Sequence, residues 1–242
     1  MRGELLSPAQ REQRIAEKRS RLLRFLRDEI YTTAPIAGQV MGIRSRQAIY
    51  TTLLRISRDG EIRSANLDTG DRTILWGITP HGQACAYDPD TEAPADKIFE
   101  PGRVGKLVLN HTLDLQRIRL MVEAAGWVDW VAGDRMGKWK KGMSRPDALV
   151  THPNGNRVAI EVERTIKTRK RYASIIVERL RAVKEGHISR VVYTCPTIDQ
   201  ARRLKGLFEQ IPWVPVNGQR VALTEKHRSA FTFTDYQHIL EI

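Results

Sequence analysis

Apolar residues in the first part of the chain recur at helical spacing among arginines and lysines. This pattern predicts an amphipathic basic helix over residues 15–30 and a short second helix over 34–41. A third helix is predicted from Ser45, a good N-cap residue, to about residue 58, where Asp59-Gly60 ends it. The chain therefore opens with three helices.

Two predicted strands follow the third helix, over residues 61–67 and 72–78, around the turn residues 68–71. Helices joined by a short glycine-bearing turn and followed by a β-hairpin make a winged helix-turn-helix. The chain resembles winged-helix DNA-binding domains in the run from Gly42 to Ile49 and in the run from Asp59 to Ile62 that enters the wing. The resemblance implies that the third helix enters the major groove of DNA.

The exposed side chains of this domain are of the types that contact DNA. If Ile49, Leu53 and Ile56 pack inward, the opposite face of the third helix is free to read base edges, while wing arginines reach the backbone or the minor groove. An alternative is a protein-interaction module with a solvated basic face. The expected DNA-binding residues are Arg46, Gln47, Tyr50 and Arg55 on the helix, and Arg63 and Arg72 on the wing.

An acidic, proline-bearing stretch from Asp88 to Asp96 lacks helical or strand periodicity and separates two basic, patterned segments. We therefore predict a winged-helix domain over 1–87, a linker over 88–105 and a second domain over 106–242. The elements predicted for the second domain are a helix over 110–125, a strand over 127–131, a hairpin around 153–155, a helix over 168–185, a strand over 190–194 and a helix that opens with a capping box at 197–200.

The hairpin of the second domain carries acids on both of its strands. With a loop at Pro153-Asn154-Gly155 and Gly155 left-handed, Asp147 faces Glu161 across the two strands. Strand alternation puts Glu161 and Glu163 on one face, so three carboxylates converge on one patch. Like charges there repel unless a cation neutralises them, and Mg²⁺ or Mn²⁺ prefers such oxygen ligands. Alternatively, the acids lie on a solvated face and pair with the nearby arginines Arg145, Arg157 and Arg164.

The net charge of the chain indicates which class of molecule it binds. The chain has 242 residues, with 40 Lys+Arg against 28 Asp+Glu, a net charge of +12 and a pI near 10.0. Such a charge indicates a polyanion, most commonly nucleic acid. No apolar run approaches the roughly 20 residues of a spanning helix and no signal peptide opens the chain, so we expect no membrane insertion and a cytoplasmic location in a bacterium-like cell. Cys85 and Cys195 fit neither a zinc spacing nor a disulfide framework.

The elements predicted for the second domain follow the order of the restriction-endonuclease-like core. That order is a helix, three strands with acids on the second and third, and then a helix, a strand and a helix. The chain resembles the PD-(D/E)XK nuclease superfamily in Pro146-Asp147 and in Glu161-Val162-Glu163. The expected fold class is therefore α+β or α/β, with a winged helix before a mixed-sheet nuclease-like domain. The resemblance implies that Asp147 and Glu161 hold Mg²⁺ or Mn²⁺. We expect Glu163, which departs from the family pattern, to bind a second metal or to position water.

Glu163 stands where that superfamily has a lysine that orients the attacking water. Lys167 and Lys170, near the start of the next helix, are the nearest replacements, and Lys167 is our catalytic candidate. A phosphate contact or a solvated charge is the alternative role for both. A chain that lost its chemistry with the motif lysine would be a non-catalytic DNA-binding protein, a relaxosome accessory or a replication regulator.

The match narrows further when the motifs are taken together. The features are His111-Thr112-Leu113 opening a helix, the winged helix before it, and the motifs at 145–147 and 161–164. In these features the chain resembles the replication-relaxation family, in particular MobC-type plasmid mobilisation relaxases. This resemblance implies strand-specific nicking of double-stranded DNA at a plasmid transfer origin, within a relaxosome and with a coupling protein as partner. Better-known relaxases use a tyrosine and a His-x-His cluster. The six histidines form no such cluster, which leaves Tyr172 as an alternative covalent nucleophile.

Overall fold

The computed structural model describes residues 7–67, 72–93, 95–137, 139 and 143–242. It combines α-helices with mixed β-sheets, which confirms the α+β class at that level. The chain divides into two compact units, Met1–Gln116 (unit 1) and Arg117–Ile242 (unit 2). In the described residues, no helix is both long and apolar enough to cross a bilayer.

The described part of unit 1 contains four complete α-helices and a small antiparallel sheet in the strand order β1-β3-β2. Its core includes the fully buried Leu22, Leu26, Leu53, Leu75 and Ile78. The helices are α1 (Pro8–Glu29), α2 (Ala34–Met41), α3 (Arg46–Arg58) and α4 (Pro80–Ala86), and the strands are β1 (Tyr31–Thr33), β2 (Ile62–Leu67) and β3 (Thr73–Ile78). A 3₁₀ turn follows at Pro101–Arg103, and α5 (Leu109–Ala124) begins in this unit.

The three predicted helices and both predicted strands of unit 1 are present. Helix α1 begins earlier than predicted, at Pro8, because Ser7 and Gln10 form a capping box there. Strand β1 and helix α4 were not predicted, since each is too short to show a period. The predicted hairpin turn at 68–71 lies outside the described residues.

The segment predicted as a linker, 88–105, belongs to unit 1. Phe99 within it is fully buried, and its N–H donates to the carbonyl of Ile78 at 2.9 Å, so the segment adds an apolar anchor to the sheet. Glu92 forms ion pairs with Arg24 and Arg27 of α1. Glu92 of the predicted linker therefore neutralises part of the positive charge of α1.

Unit 2 contains a five-stranded mixed sheet in the order β10-β7-β6-β5-β4. Strands β4, β5 and β6 pair antiparallel, whereas β7 and β10 continue the sheet in parallel. The sheet strands are β4 (Val128–Ala132), β5 (Ala148–Thr151), β6 (Arg157–Val162), β7 (Arg190–Cys195) and β10 (Phe231–Asp235). The helices are α6 (Arg169–Lys184), α7 (Ile198–Glu209) and α8 (Glu225–Arg228), and a separate hairpin pairs β8 (Trp213–Val216) with β9 (Gln219–Ala222).

The hairpin β5–β6 has the predicted register. Ala148 pairs with Ile160 and Thr151 with Arg157, which places Asp147 opposite Glu161. Gly155 adopts a φ of +83°, the left-handed conformation that the turn required. The prediction of this turn and of the facing acids is therefore confirmed.

Both faces of the β6 strand are covered. Ala159 packs in a cluster with Tyr172 and Ile176 of α6 and Tyr193 of β7, while Val158 and Ile160 are buried on the opposite face. Glu161 and Glu163 share the face of Ala159, so they point towards α6 and not towards open solvent. The position of α6 therefore decides which groups these acids meet.

Candidate functional site

The candidate site lies where β5 begins and β6 ends. Asp147 immediately precedes β5, Glu161 lies near the end of β6, and Glu163 follows β6 directly. A backbone bond holds the region together, because the N–H of Gly133 donates to the carbonyl of Asp147 at 2.8 Å. Gly133 is required at this approach, since a Cβ there would overlap the carbonyl oxygen of Pro146.

The carboxylate of Asp147 is turned towards the neighbouring strand. Its Oδ2 accepts the N–H of Val162 at 2.8 Å. This bond orients the carboxylate beside Glu161, the residue that it faces in the register of the hairpin. Two carboxyl groups are thus adjacent on a rigid element, as a shared cation would require.

Glu161 forms an ion pair with Arg179 of α6. The Nε of Arg179 lies 2.5 Å from Oε1 of Glu161, and the side chains are 3% and 14% exposed, respectively. Burial raises the pKa of Glu161 to about 7; the charge of Arg179 opposes that rise and the charge of Asp147 adds to it. Burial therefore disfavours the ionised form of Glu161, and the guanidinium of Arg179 offsets part of that cost.

Glu163 is buried, and three other side chains contact it, two at its carboxylate and one at its backbone carbonyl. The Nζ of Lys167 is 2.6 Å from its Oε1, and the hydroxyl of Tyr172 donates to its Oε2 at 2.9 Å. The side-chain amide of Gln200 donates to its carbonyl at 2.9 Å. The structure thus brings Lys167 to Glu163, next to the motif position where the nuclease family has lysine.

The Gln200 contact also corrects a sequence prediction. The capping box expected at 197–200 is only half formed: Thr197 accepts the N–H of Gln200 at 3.3 Å, as a cap should. The side chain of Gln200 is used elsewhere, on Glu163. Helix α7 is thereby tied to the end of β6.

The three carboxylates do not form an open cluster in the described part of the chain. They are not a group whose ligand atoms all lie within 4.8 Å of one another. Instead, Glu161 and Glu163 each have a cationic partner, Arg179 and Lys167. The expected convergence therefore holds for Asp147 and Glu161 as a facing pair, with one carboxylate oxygen of Glu161 already paired with Arg179.

Arg179 was not identified from the sequence. The arginines considered as partners for the acids were Arg145, Arg157 and Arg164, but Arg145 donates to the carbonyl of Gly137 at 2.6 Å. A signal for Arg179 was present, because it continues the buried stripe of α6 after Tyr172 and Ile176 at helical spacing. A cation on the apolar stripe of a helix indicates a buried anion opposite it.

Arg179 also fixes the segment before β5. Its Nη1 donates to the carbonyl of Ser144 at 2.7 Å. Glu178, the preceding residue on α6, accepts the N–H of Ser144 at 2.8 Å. Helix α6 therefore holds both Glu161 and the segment before β5 that contains Asp147.

Tyr172 does not have the surroundings of a nucleophile. Its side chain is fully buried, and its hydroxyl is held between Glu163 and the N–H of Lys167. Burial and the charge of Glu163 raise its pKa well above the ordinary value, so the phenolate is disfavoured. A covalent tyrosine mechanism has no accessible Tyr172 oxygen in this conformation.

The predicted DNA-reading residues of α3 lie on its exposed side. Ile49, Leu53 and Ile56 are buried, as expected, and Arg46, Gln47 and Arg55 are exposed. Tyr50 is half-buried and packs edge-on against Trp76 with ring centroids 6.4 Å apart, while the guanidinium of Arg46 lies 5.9 Å from the Tyr50 ring. Tyr50 thus supports Arg46 more than it projects outwards.

The two wing arginines differ from each other. Arg72 is exposed at the start of β3. Arg63 is also exposed, but its guanidinium donates to the carbonyl of Phe99 and lies 5.7 Å from the centre of the Phe99 ring. Arg63 therefore serves first to hold the segment around Phe99 on the sheet, and its availability to DNA is smaller than the sequence suggested.

Comparisons of this chain with protein-family models, with curated proteins and with solved structures gave no match.

Proposed function

We propose that the chain is a DNA-binding protein whose unit 2 is a metal-dependent endonuclease, and that it nicks one strand of a plasmid transfer origin as a relaxase. One observation carries this proposal: Asp147 faces Glu161 across β5 and β6, with the amine of Lys167 at Glu163. The order α5, β4, β5, β6, α6, β7 and α7 supports it, because this is the element order of the restriction-endonuclease-like core.

The donor set fits a hard divalent cation. Asp147 and Glu161 offer carboxylate oxygens from two adjacent strands, which is the ligand type that Mg²⁺ and Mn²⁺ prefer. When bound, such an ion supplies an activated water and stabilises the leaving oxygen of the phosphodiester. Glu163 would position that water or serve as a further ligand, and Lys167 would donate a hydrogen bond to the water or to the phosphate.

The state of Glu161 makes this metal site depend on pH. Because burial raises the pKa of Glu161 to about 7, its carboxyl group holds a proton in weakly acidic solution. A metal ligand must be deprotonated, so the chain should bind the cation more tightly as the pH rises through about 7. Arg179 would have to move from Glu161 at the same time.

Unit 1 would locate the DNA site. Its helices, its short α2–α3 turn and its β-hairpin support a winged helix-turn-helix, and β1 adds a third strand to the wing sheet. The exposed Arg46, Gln47 and Arg55 of α3 supply the side-chain types that read guanine and adenine edges or hold phosphates. The net charge of +12 supports a polyanionic partner. A coupling protein and other relaxosome components would be its protein partners.

A nicking assay tests the proposed reaction. Supercoiled plasmid carrying the transfer origin of the replicon that encodes the chain is incubated with purified protein and Mg²⁺, and open-circle product is measured. We expect nicking by the unmodified chain and loss of nicking in Asp147→Ala and Glu161→Ala. Arg202→Ala, which removes an exposed charge from α7, is the matched control and should nick normally.

A second candidate is a non-catalytic DNA-binding protein, a relaxosome accessory or replication regulator. The specific observation in its favour is that Arg179 and Lys167 already neutralise Glu161 and Glu163 without any metal. This candidate predicts specific binding of the transfer origin with no nicking in Mg²⁺ or Mn²⁺. The same assay, combined with a binding measurement on the same DNA, separates the two candidates.

A further inference from the structure

A second group of potential metal ligands lies in unit 1, apart from the acidic hairpin. His81 and Cys85 are exposed and one helical turn apart on α4, and Glu61 lies buried beside them. One ligand atom from each residue lies within 4.8 Å of a ligand atom from each of the other two residues. Among the described residues, this is the group of three His, Cys, Asp or Glu side chains that meets this distance condition. The proposed nuclease site uses none of these residues.

Local chain geometry brings α4 against Glu61. Thr79 is the N-cap of α4, and its hydroxyl accepts the N–H of Gly82 at 3.0 Å while donating to the carbonyl of Gly60 at 2.6 Å. Gly82 allows the close approach, because a Cβ at this position would overlap the carbonyl oxygen of Glu61. The first turn of α4 is therefore pinned to the residue that would supply the carboxylate.

The spacing of the sulfur and nitrogen atoms fits tetrahedral coordination. Zinc bonds of about 2.3 Å to sulfur and about 2.0–2.1 Å to nitrogen, at a tetrahedral angle, separate the two ligand atoms by about 3.6 Å. In the structure, the Sγ of Cys85 lies 3.7 Å from Nε2 of His81 and 4.0 Å from Nδ1. The Sγ–Nε2 separation thus matches that of two ligands of one ion, and a side-chain rotation of His81 would aim the nitrogen at it.

Glu61 occupies an unusual position for a carboxylate. Its side chain is fully buried, and both oxygens accept from the guanidinium of Arg19, with Nε at 2.6 Å from Oε2. The Arg19 side chain is 43% exposed, so it can move into water while Glu61 cannot. A bound cation would replace Arg19 as the charge partner of this buried carboxylate.

We propose that Glu61, His81 and Cys85 form a binding site for Zn²⁺ or a similar borderline transition metal, which competes with Arg19 for Glu61. A thiolate and an imidazole favour such ions over Mg²⁺ or Mn²⁺. One thiolate and one carboxylate balance the charge of a divalent ion, and a water completes the tetrahedron. The ion would link the residue before β2 to α4 and so brace the base of the β2–β3 hairpin.

Cobalt substitution tests the site directly, because thiolate coordination to Co²⁺ gives a charge-transfer band in the near ultraviolet. Co²⁺ is titrated into the full-length reduced chain, and Zn²⁺ is then added to displace it. We expect a one-to-one end point, loss of the band in Cys85→Ser, and an unchanged band in Cys195→Ser, whose cysteine is buried in unit 2. Absence of the band, or its survival in Cys85→Ser, overturns the proposal.

Arg19→Gln tests the competition for Glu61, and we expect this substitution to strengthen metal binding, whereas Cys85→Ser should abolish it. Removing the guanidinium should tighten Zn²⁺ binding on the order of tenfold, since the ion no longer displaces an ion-pair partner. Zn²⁺ should also raise the melting temperature of Arg19→Gln more than that of the unmodified chain, because the unpaired Glu61 gains a partner. Unchanged or weaker affinity in Arg19→Gln would remove Glu61 from the ligand set. Asp147→Asn should keep the thiolate–Co²⁺ band and its displacement by Zn²⁺, which separates this site from the proposed nuclease site.

Discussion

Replacing Arg179 with methionine separates a metal site from a purely structural ion pair at Glu161. The side chain of Arg179 is 3% exposed and that of Glu161 is 14% exposed. Removing one partner of a buried pair costs about 3–5 kcal/mol, because the other charge stays buried without compensation. Here the remaining carboxylate also faces Asp147. Methionine preserves much of the apolar stem of arginine, so the main loss is the charge and its hydrogen bonds.

The size of that loss should depend on pH. Near pH 8, Glu161 is ionised and Arg179→Met should lower the free energy of unfolding by about 3–5 kcal/mol. Near pH 5 the loss should be smaller, because a carboxyl group whose pKa is about 7 holds its proton and needs no cationic partner. Urea unfolding at both pH values gives these free energies. Arg202→Met is the matched control, since its side chain is 73% exposed and should change stability little.

Added Mn²⁺ then gives opposite results for the two interpretations. If Asp147 and Glu161 form a metal site, millimolar Mn²⁺ should stabilise Arg179→Met more than the unmodified chain at about pH 8, because the competing guanidinium is gone. Equal stability of Arg179→Met and the Arg202→Met control would refute the reasoning about burial. If Mn²⁺ stabilises Arg179→Met less than it stabilises the unmodified chain, the metal site is refuted.

Three further predictions concern pH, DNA recognition and the nucleophile. The pKa of Glu161 is about 7 in the folded chain against an ordinary 4.5, so the native state holds a proton between these pH values that the unfolded chain has lost. The free energy of unfolding should therefore fall by about 3 kcal/mol as the pH rises through this window. Measured by urea unfolding, its dependence on pH should differ between the unmodified chain and Glu161→Gln in this window and nowhere else. Arg46→Ala should cost about 1–3 kcal/mol of specific DNA binding while sparing nicking at high DNA concentration, and normal binding in a gel-shift titration would show that α3 is not the reader. Tyr172→Phe should retain most of the nicking, and denaturing gels should show nicked DNA without attached protein; a covalent adduct that disappears in Tyr172→Phe would contradict hydrolysis.

Local signals in the sequence were sufficient for the longer helices and strands that we predicted and for the acidic hairpin, but not for the short elements β1 and α4. Asn154-Gly155 specifies a turn that only a left-handed residue can complete, and counting back from it places Asp147 opposite Glu161. The bounds of α2 and the start of α6 near Thr168 also agree with the helices predicted from the sequence. Each of these features depends on residues that are close together in sequence.

The partners of the acids could not be obtained in that way. Arg179 meets Glu161 only because α6 crosses the sheet above β6, and its angle depends on the packing of Tyr172 and Ile176. Similarly, Phe99 makes an acidic segment part of unit 1 because one aromatic ring fits against Gly77 of the sheet. Such contacts are set by shape and burial over long sequence separations, which charge and periodicity do not encode.

Locating a bound manganese ion tests the central claim most directly. Crystals of the full-length chain, grown near pH 8 with Mn²⁺, are measured at the manganese absorption edge. We expect an anomalous difference peak in contact with the carboxylates of Asp147 and Glu161, with the Arg179 guanidinium moved off Glu161, and no such peak in Asp147→Asn. An Arg179–Glu161 pair that stays intact, with no peak between Asp147 and Glu161, would contradict the proposed metal site.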